Sequence, residues 1–342
     1  MKDNKTDPSF MTFVYVIISS ENDYILEQAL VSMHSLKMFN PEAHITAVMD
    51  VDTFQGLIGE RGRIKQYINE FITPEIPKGL NGTQKSRFLK TSLRNHIKGD
   101  FLFLDADTIV TDDLSEIQKL PYDVAITLNR HRHWDRDTPH PMIYEYVKTT
   151  GIDIQKSVNF TYYFNSGVIF SKDTEIAHNF FERWHQLWIK DSLELKFHKD
   201  QVAGWRANFE LGNVIHELDP IYNCQFVFPI YALKYFESAK ILHYIGSTKL
   251  GSCLKFTDKG FLEKILDYGI NEKDEQYIKD IKRIYLNKLY EITDKALRNY
   301  TVEDTYLVII ARKISHRFPW INGLFRNFIN LRANIKHLNN RQ

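Results

Sequence analysis

Residues 101–110, FLFLDADTIV, carry four apolar residues into an Asp-x-Asp and return at once to β-branched residues. The apolar run reads as a buried strand, and charged groups at its end are costly unless they are solvated, paired or bound to a cation. Asp105 and Asp107 therefore place this strand centrally, with its carboxyl end facing a crevice. The flanking segments agree. TFVYVIISS reads as a strand, YILEQALVSMHSLKMF as an amphipathic helix stopped by Asn40-Pro41, and HITAVMD as a second strand. This alternation predicts an α/β sheet with parallel strands, whose ligands sit beyond the strand carboxyl ends. VAITLN and FNSGVIFS read as further strands. TEIAHNFFERWHQLWIK predicts a helix in which Trp184 and Trp188 belong to the core. From about residue 261 helical patterns dominate, which divides the chain into an α/β domain over 1–260 and a helical extension over 261–342.

Charge narrows the function classes. The 44 Lys+Arg and 43 Asp+Glu leave a net charge of +1, so no whole-molecule field favours nucleic acid as a partner. Cys224 and Cys253 form no disulfide framework, MKDNKTDPSF lacks the pattern of a signal peptide, and no apolar run reaches the roughly 18 residues of a membrane span. The expectation is a cytoplasmic protein. One local bias stands out: from Thr305 onward there are seven Lys/Arg and no Asp/Glu, interleaved with Phe318, Trp320, Phe325 and Phe328. Bases beside aromatics suit an anionic membrane surface, which would make the protein peripheral on the inner face of a membrane. A basic helix docked on the core is the other reading.

In extended backbone residues i and i+2 face the same way, so Asp105 and Asp107 can reach one divalent ion, and oxygen ligands suit Mg²⁺ or Mn²⁺. The alternative is that either carboxylate caps the following turn or pairs with a base. Further along, NRHRHWDRD packs His131, Arg132, His133 and Arg136 into a loop near the crevice, better read as solvated or acceptor-contacting than as a second metal site.

Four segments occur in an order that resembles glycosyltransferase family 8, the retaining nucleotide-sugar transferases that include glycogenin and bacterial lipopolysaccharide galactosyltransferases. FLFLDADTIV is similar to the family's Y-L-D-x-D strand, FNSGV to F-N-[AS]-G-V, KDQ to its D-Q, and HYIGSTK to H-[FY]-x-G-x-x-K, over about residues 13 to 250. The resemblance implies a GT-A fold, that is, a Rossmann-like nucleotide-diphospho-sugar transferase domain, followed here by the helical extension. It further implies Mn²⁺-dependent transfer, with Mg²⁺ as the alternative ion, of a hexose from UDP-glucose or UDP-galactose to a glycan or glycolipid.

Residue by residue, the resemblance implies metal ligation by Asp105, Asp107 and His243. It implies donor contacts from Asp23, Tyr24, Arg87, Lys90, Asp105, Ala106, Asp107, Asn165, Ser166, Gly167, Gly246 and Lys249, and catalytic roles for Asp200 and Gln201. Other readings stand beside these. Asp23 can cap an ordinary strand–helix turn, Arg87 and Lys90 can be solvated helix charges, and Gly167 can relieve crowding within a strand. The chain departs from the family at Leu250-Gly251, where Pro-Trp is usual, and at Val202, where an acid often follows the D-Q. Gln201 is a poor nucleophile, which favours front-face attack over a covalent intermediate. Two competing functions remain: a haloacid-dehalogenase-like phosphatase using Asp105 and Asp107, and a silent sugar-nucleotide binding module.

Overall fold

A computed structural model describes residues 11–134, 140–151, 161–245 and 255–286. In chain order the elements begin with strand β1 Thr12–Ile17, helix α1 Ile25–Phe39, β2 His44–Met49, α2 Val51–Gln55, β3 Glu70–Ile72, α3 Gly82–Thr91 and β4 Phe101–Leu104. There follow β5 Thr108–Val110, β6 Val124–Leu128, α4 Pro141–Thr150, β7 Phe164–Ser171, α5 Glu175–Glu194 and α6 Asp200–Glu210. The last are β8 Ile215–Glu217, α7 Pro229–Phe236, β9 Ile241–His243, α8 Lys259–Tyr268 and α9 Glu272–Lys279.

The described strands form a seven-stranded sheet in the order β3-β2-β1-β4-β7-β6-β8, and β5 pairs with β9 in a separate ribbon. β1, β2, β3 and β4 are parallel, as the strand–helix alternation predicts, but β7 enters antiparallel between β4 and β6. Sequence could not show that reversal: β7 is buried along its whole length, and a strand covered on both faces reads as one apolar run whichever way it points. The reversal has a consequence. It brings the amino end of β7 to the edge where β4 and β6 end.

Alternation along β4 builds the two layers. Phe101 and Phe103 face Leu89 of α3 and Phe181, Trp184 and Trp188 of α5 in one core cluster. The opposite face is covered by α1, whose Ser32 hydroxyl meets Tyr15 Oη at 3.1 Å and Thr108 Oγ1 at 2.9 Å. Trp184 and Trp188 are buried to 1% and 2% exposure, in keeping with their reading as core. Trp184 also fixes α6, because its Nε1 donates to the Asp200 carbonyl at 2.8 Å and a Cβ on Gly204 would approach the same nitrogen to 3.1 Å.

The compact unit containing the sheet runs Met1–Asn287, and a second, Lys288–Gln342, lies outside the described residues together with the basic, aromatic tail. The helices after residue 260 that the sequence assigns to the extension begin inside the first unit. α8 packs on α1, and Glu275 of α9 meets His34 of α1 at 3.2 Å. Among the described residues no helix is long and apolar enough to cross a membrane.

Candidate active site

The turn after β4 carries Asp105, Ala106 and Asp107, and β5 begins at Thr108. Thr108 lies opposite His243 in the β5–β9 ribbon, so strand pairing itself carries the histidine to the Asp-x-Asp. Ligand atoms of Asp105, Asp107 and His243 lie within 4.8 Å of one another, with His243 Nε2 3.2 Å from Asp107 Oδ1. The imidazole is fixed from behind. Its Nδ1 donates to Asn223 Oδ1 at 2.9 Å, which leaves the Nε2 lone pair facing the carboxylates. Asn223 is in turn held by its amide, which donates to Asn165 Oδ1 at 3.1 Å. That oxygen also accepts from the Gly167 amide at 3.1 Å.

Gly167 has a steric role. A Cβ there would stand 2.1 Å from His243 Cε1, so the crowding that calls for glycine comes from the imidazole packed on β7. Asn165 and Ser166 are almost fully buried.

α3 starts at a capping box in which Asn81 and Gln84 satisfy each other's backbone amides. Arg87 and Lys90, one turn apart, consequently share a face. Lys90 Nζ lies 2.7 Å from Asp105 Oδ1, and Arg87 Nε 3.4 Å from Asp200 Oδ1. Burial would lower the Lys90 pKa, but Asp105, Asp200 and Asp107 outweigh it and the amine is pushed upward. For Asp105, burial together with Asp107 holds the pKa above the ordinary carboxylate value in spite of Lys90. Two carboxylates plus an imidazole whose Nε2 faces them form a donor set for Mn²⁺ or Mg²⁺.

A cleft of about 910 Å³ runs from the β1–α1 turn to the start of α6, and Asp23, Arg87, Lys90, Asp105, Asp200 and Gln201 line it. Asp107 and His243 adjoin it through Asp105. Asp200 opens α6 and accepts from the Ser166 hydroxyl at 2.9 Å, with Gln201 next on the helix. At the other end, Asp23 accepts from the Ser20 amide and the Ser19 hydroxyl, both at 2.8 Å, and from the Ile25 amide at 3.1 Å. Burial works against its ionisation, yet these donors hold the carboxyl below its ordinary pKa. Tyr24 turns instead toward α8, its hydroxyl donating to Glu263 Oε1 at 3.4 Å. Gly246 and Lys249 lie outside the described residues.

A family model described as "Glycosyl transferase family 8" matches residues 15–250. The chain belongs to this family. A family 8 glycosyltransferase works between a sugar donor and an acceptor, and its members commonly use a divalent metal. No curated protein sequence matched the chain significantly. Among solved structures, the apo form of mouse xyloside xylosyltransferase 1 shares 13% identity at a TM-score of 0.46, over 69% of this chain and 97% of that one. The apo bifunctional glycosyltransferase WbbM shares 14% at 0.50, over 79% and 51%. The galactosyltransferase LgtC, in complex with donor and acceptor sugar analogues, shares 14% at 0.46, over 78% and 99%. At such identities likeness concerns the fold alone, and the fold of this family 8 chain is α/β and GT-A-like, with a mixed sheet.

The site of this family 8 protein includes residues that motif reading did not reach. Asn223 sits fully buried in IYNCQF, where a second amide, Gln225, is equally buried. Arg61 braces the Asp23 turn, donating to the Ser19 hydroxyl at 3.0 Å and the Ser20 carbonyl at 3.1 Å. His198 lines the cleft, its carbonyl accepting from Arg87 Nη1 at 2.6 Å.

Proposed function

We propose that this protein is an active retaining hexosyltransferase, moving glucose or galactose from a UDP-sugar to a glycan or glycolipid with a divalent metal, Mn²⁺ before Mg²⁺. The observation that carries this reading is the convergence of Asp105, Asp107 and His243 at a cleft that Asp200 and Gln201 also line. Asp105, Asp107 and His243 would hold the ion, which when bound would supply positive charge to the departing diphosphate. The remaining chemistry falls to the chain. The bond between the anomeric carbon and the diphosphate oxygen breaks, the acceptor oxygen bonds to the same face, and its proton passes to the leaving phosphate. Gln201 faces the sugar and stabilises the separating charge, while Asp200, held by Arg87 and Ser166, orients it.

The donor contacts assigned to Asp23, Tyr24, Ala106, Asn165, Ser166, Gly246 and Lys249 belong to this proposal. So does membrane attachment by the tail after Thr305, which favours a lipid-linked acceptor. Co-sedimentation with anionic but not neutral liposomes, lost on deletion from residue 316, tests that part.

For the reaction itself, UDP-glucose and UDP-galactose are incubated with Mn²⁺ and released UDP is measured. Turnover that is abolished by Asp107→Ala supports the transferase. UDP-dependent thermal protection without turnover of either donor would instead make the protein a silent binding module.

A further inference from the structure

The turn beyond β6, residues 129–134, is built as carefully as the metal cluster and takes no part in the donor cleft. Asn129 N donates to the Tyr163 carbonyl at 2.8 Å, which places the turn beside the amino end of β7. Gln225 closes it: its Oε1 accepts from the Arg130 amide at 2.9 Å, and its own amide donates to His131 Nε2 at 3.0 Å. Gln225 lies two residues from Asn223, which orients His243, so a single short segment holds both the candidate metal ligand and this turn. Arg130 and His131 both adopt positive φ, 57° and 52°. Left-handed backbone at two successive non-glycine residues is uncommon and persists where its surroundings impose it.

What the turn presents, among the described residues, is positive charge without a carboxylate partner. The Arg130 guanidinium lies 5.8 Å from the Trp134 ring centroid and 4.7 Å from that of Phe228, and the Arg132 guanidinium 4.5 Å from Trp134 and 5.7 Å from Tyr231. Arg132 Nη1 also donates to Tyr231 Oη at 3.0 Å. Among the described residues no carboxylate is in ion-pair range of either arginine, and Glu217 is taken by His133 at 3.2 Å. Arg130 Nε, His131 Nδ1 and Trp134 Nε1 are buried with no acceptor among the described residues. Because Nε2 of His131 accepts, its Nδ1 carries the proton, and all three atoms are donors. Two stacked guanidinium forks with surplus donors have an oxyanion as their chemical complement.

We infer that Arg130 and Arg132 form a subsite for an anionic group, phosphate or carboxylate, on the sugar acceptor. This rests on the transferase reading, which requires an acceptor, and on the hydrogen bonds by which the one segment Asn223–Gln225 holds both His243 and this turn.

The test uses the full chain with three probes: a hexose 6-phosphate, a hexuronate and the neutral hexose, titrated with UDP and Mn²⁺ present. The expected result is binding of at least one anionic sugar about tenfold or more tighter than the neutral hexose. Combined Arg130→Gln and Arg132→Gln should erase that preference, and Arg132→Lys, which keeps the charge but loses the fork, should weaken it in part. Protection by UDP and Mn²⁺ should be unchanged in every variant, which also shows that the variants fold. No anionic preference in the wild type, or a preference that survives the double substitution, overturns the inference. Which anionic probe is preferred separates phosphate from carboxylate. Failure of the transferase reading shows elsewhere, as absence of UDP-sugar turnover by the wild-type protein.

Discussion

His243 and Gly167 are packed so closely that a methyl group on the glycine would lie 2.1 Å from the imidazole Cε1 and 2.6 Å from its Nδ1. β7 is buried on both faces and cannot retreat, so the ring would have to move. Gly167→Ala should therefore break the His243–Asn223 hydrogen bond and weaken Mn²⁺-dependent UDP binding by about tenfold or more. Isothermal titration of UDP with and without Mn²⁺ checks this. Unchanged metal dependence would show that the imidazole has no part in holding the ion.

Asn223 offers a gentler perturbation of the same atom. Asn223→Ala removes the acceptor at Nδ1 and frees the tautomer without touching a proposed ligand, so metal affinity should fall by about 10- to 100-fold. Asn223→Asp keeps an acceptor at that position and should retain more of it. Manganese titration followed by paramagnetic relaxation reads both variants, and equal affinities for Asn223→Ala and wild type would remove Asn223 from the site.

Sequence made most elements of the fold visible because their signals are local: apolar runs for β1, β2, β4 and β7, and helical spacing for α1 and α5. The direction of β7 was not visible, since continuous burial carries no polarity. Asp105 and Asp107 announced themselves through the cost of ending an apolar strand in charge. Their meeting with His243 depends on pairing between β5 and β9, three-residue strands far apart in the chain, and no periodicity encodes such a contact. Motif resemblance supplied it. Asn223 and Gln225 escaped altogether, because a buried amide is recognisable only once its partners are known.

Gln201 separates chemistry from binding. It lines the cleft at the start of α6, and its carboxamide would gain most as charge builds between sugar and diphosphate. Gln201→Ala should lower kcat by about a hundredfold with little change in donor KM. Steady-state UDP release across donor concentrations decides between that outcome and a raised KM at unchanged kcat, which would make Gln201 a binding residue.

The wall of the cleft also contains a pH-dependent contribution to stability. Asp50 caps α2 through the Thr53 amide at 2.9 Å and meets Lys85 Nζ at 2.6 Å, with the side chains 8% and 25% exposed. Burial would raise the Asp50 pKa, but Lys85 and Thr53 outweigh it and hold the carboxyl below its ordinary value. A depressed folded-state pKa stabilises the protein above the unfolded-state value near 4 and loses that contribution as pH falls through the folded one. Asp50→Asn keeps an oxygen for the cap and discards the charge, so it isolates the ion pair. At pH 7 the variant should be less stable by about 1 kcal/mol in urea unfolding, a modest figure because Lys85 remains partly in water. The deficit should shrink steadily below pH 4. Asp52, which Lys85 reaches at 3.2 Å with its carboxylate 84% exposed, supplies the control: Asp52→Asn should change stability little at either pH. A deficit in Asp50→Asn that stays constant down to the lowest pH at which both proteins remain folded would assign the loss to the cap instead of the charge.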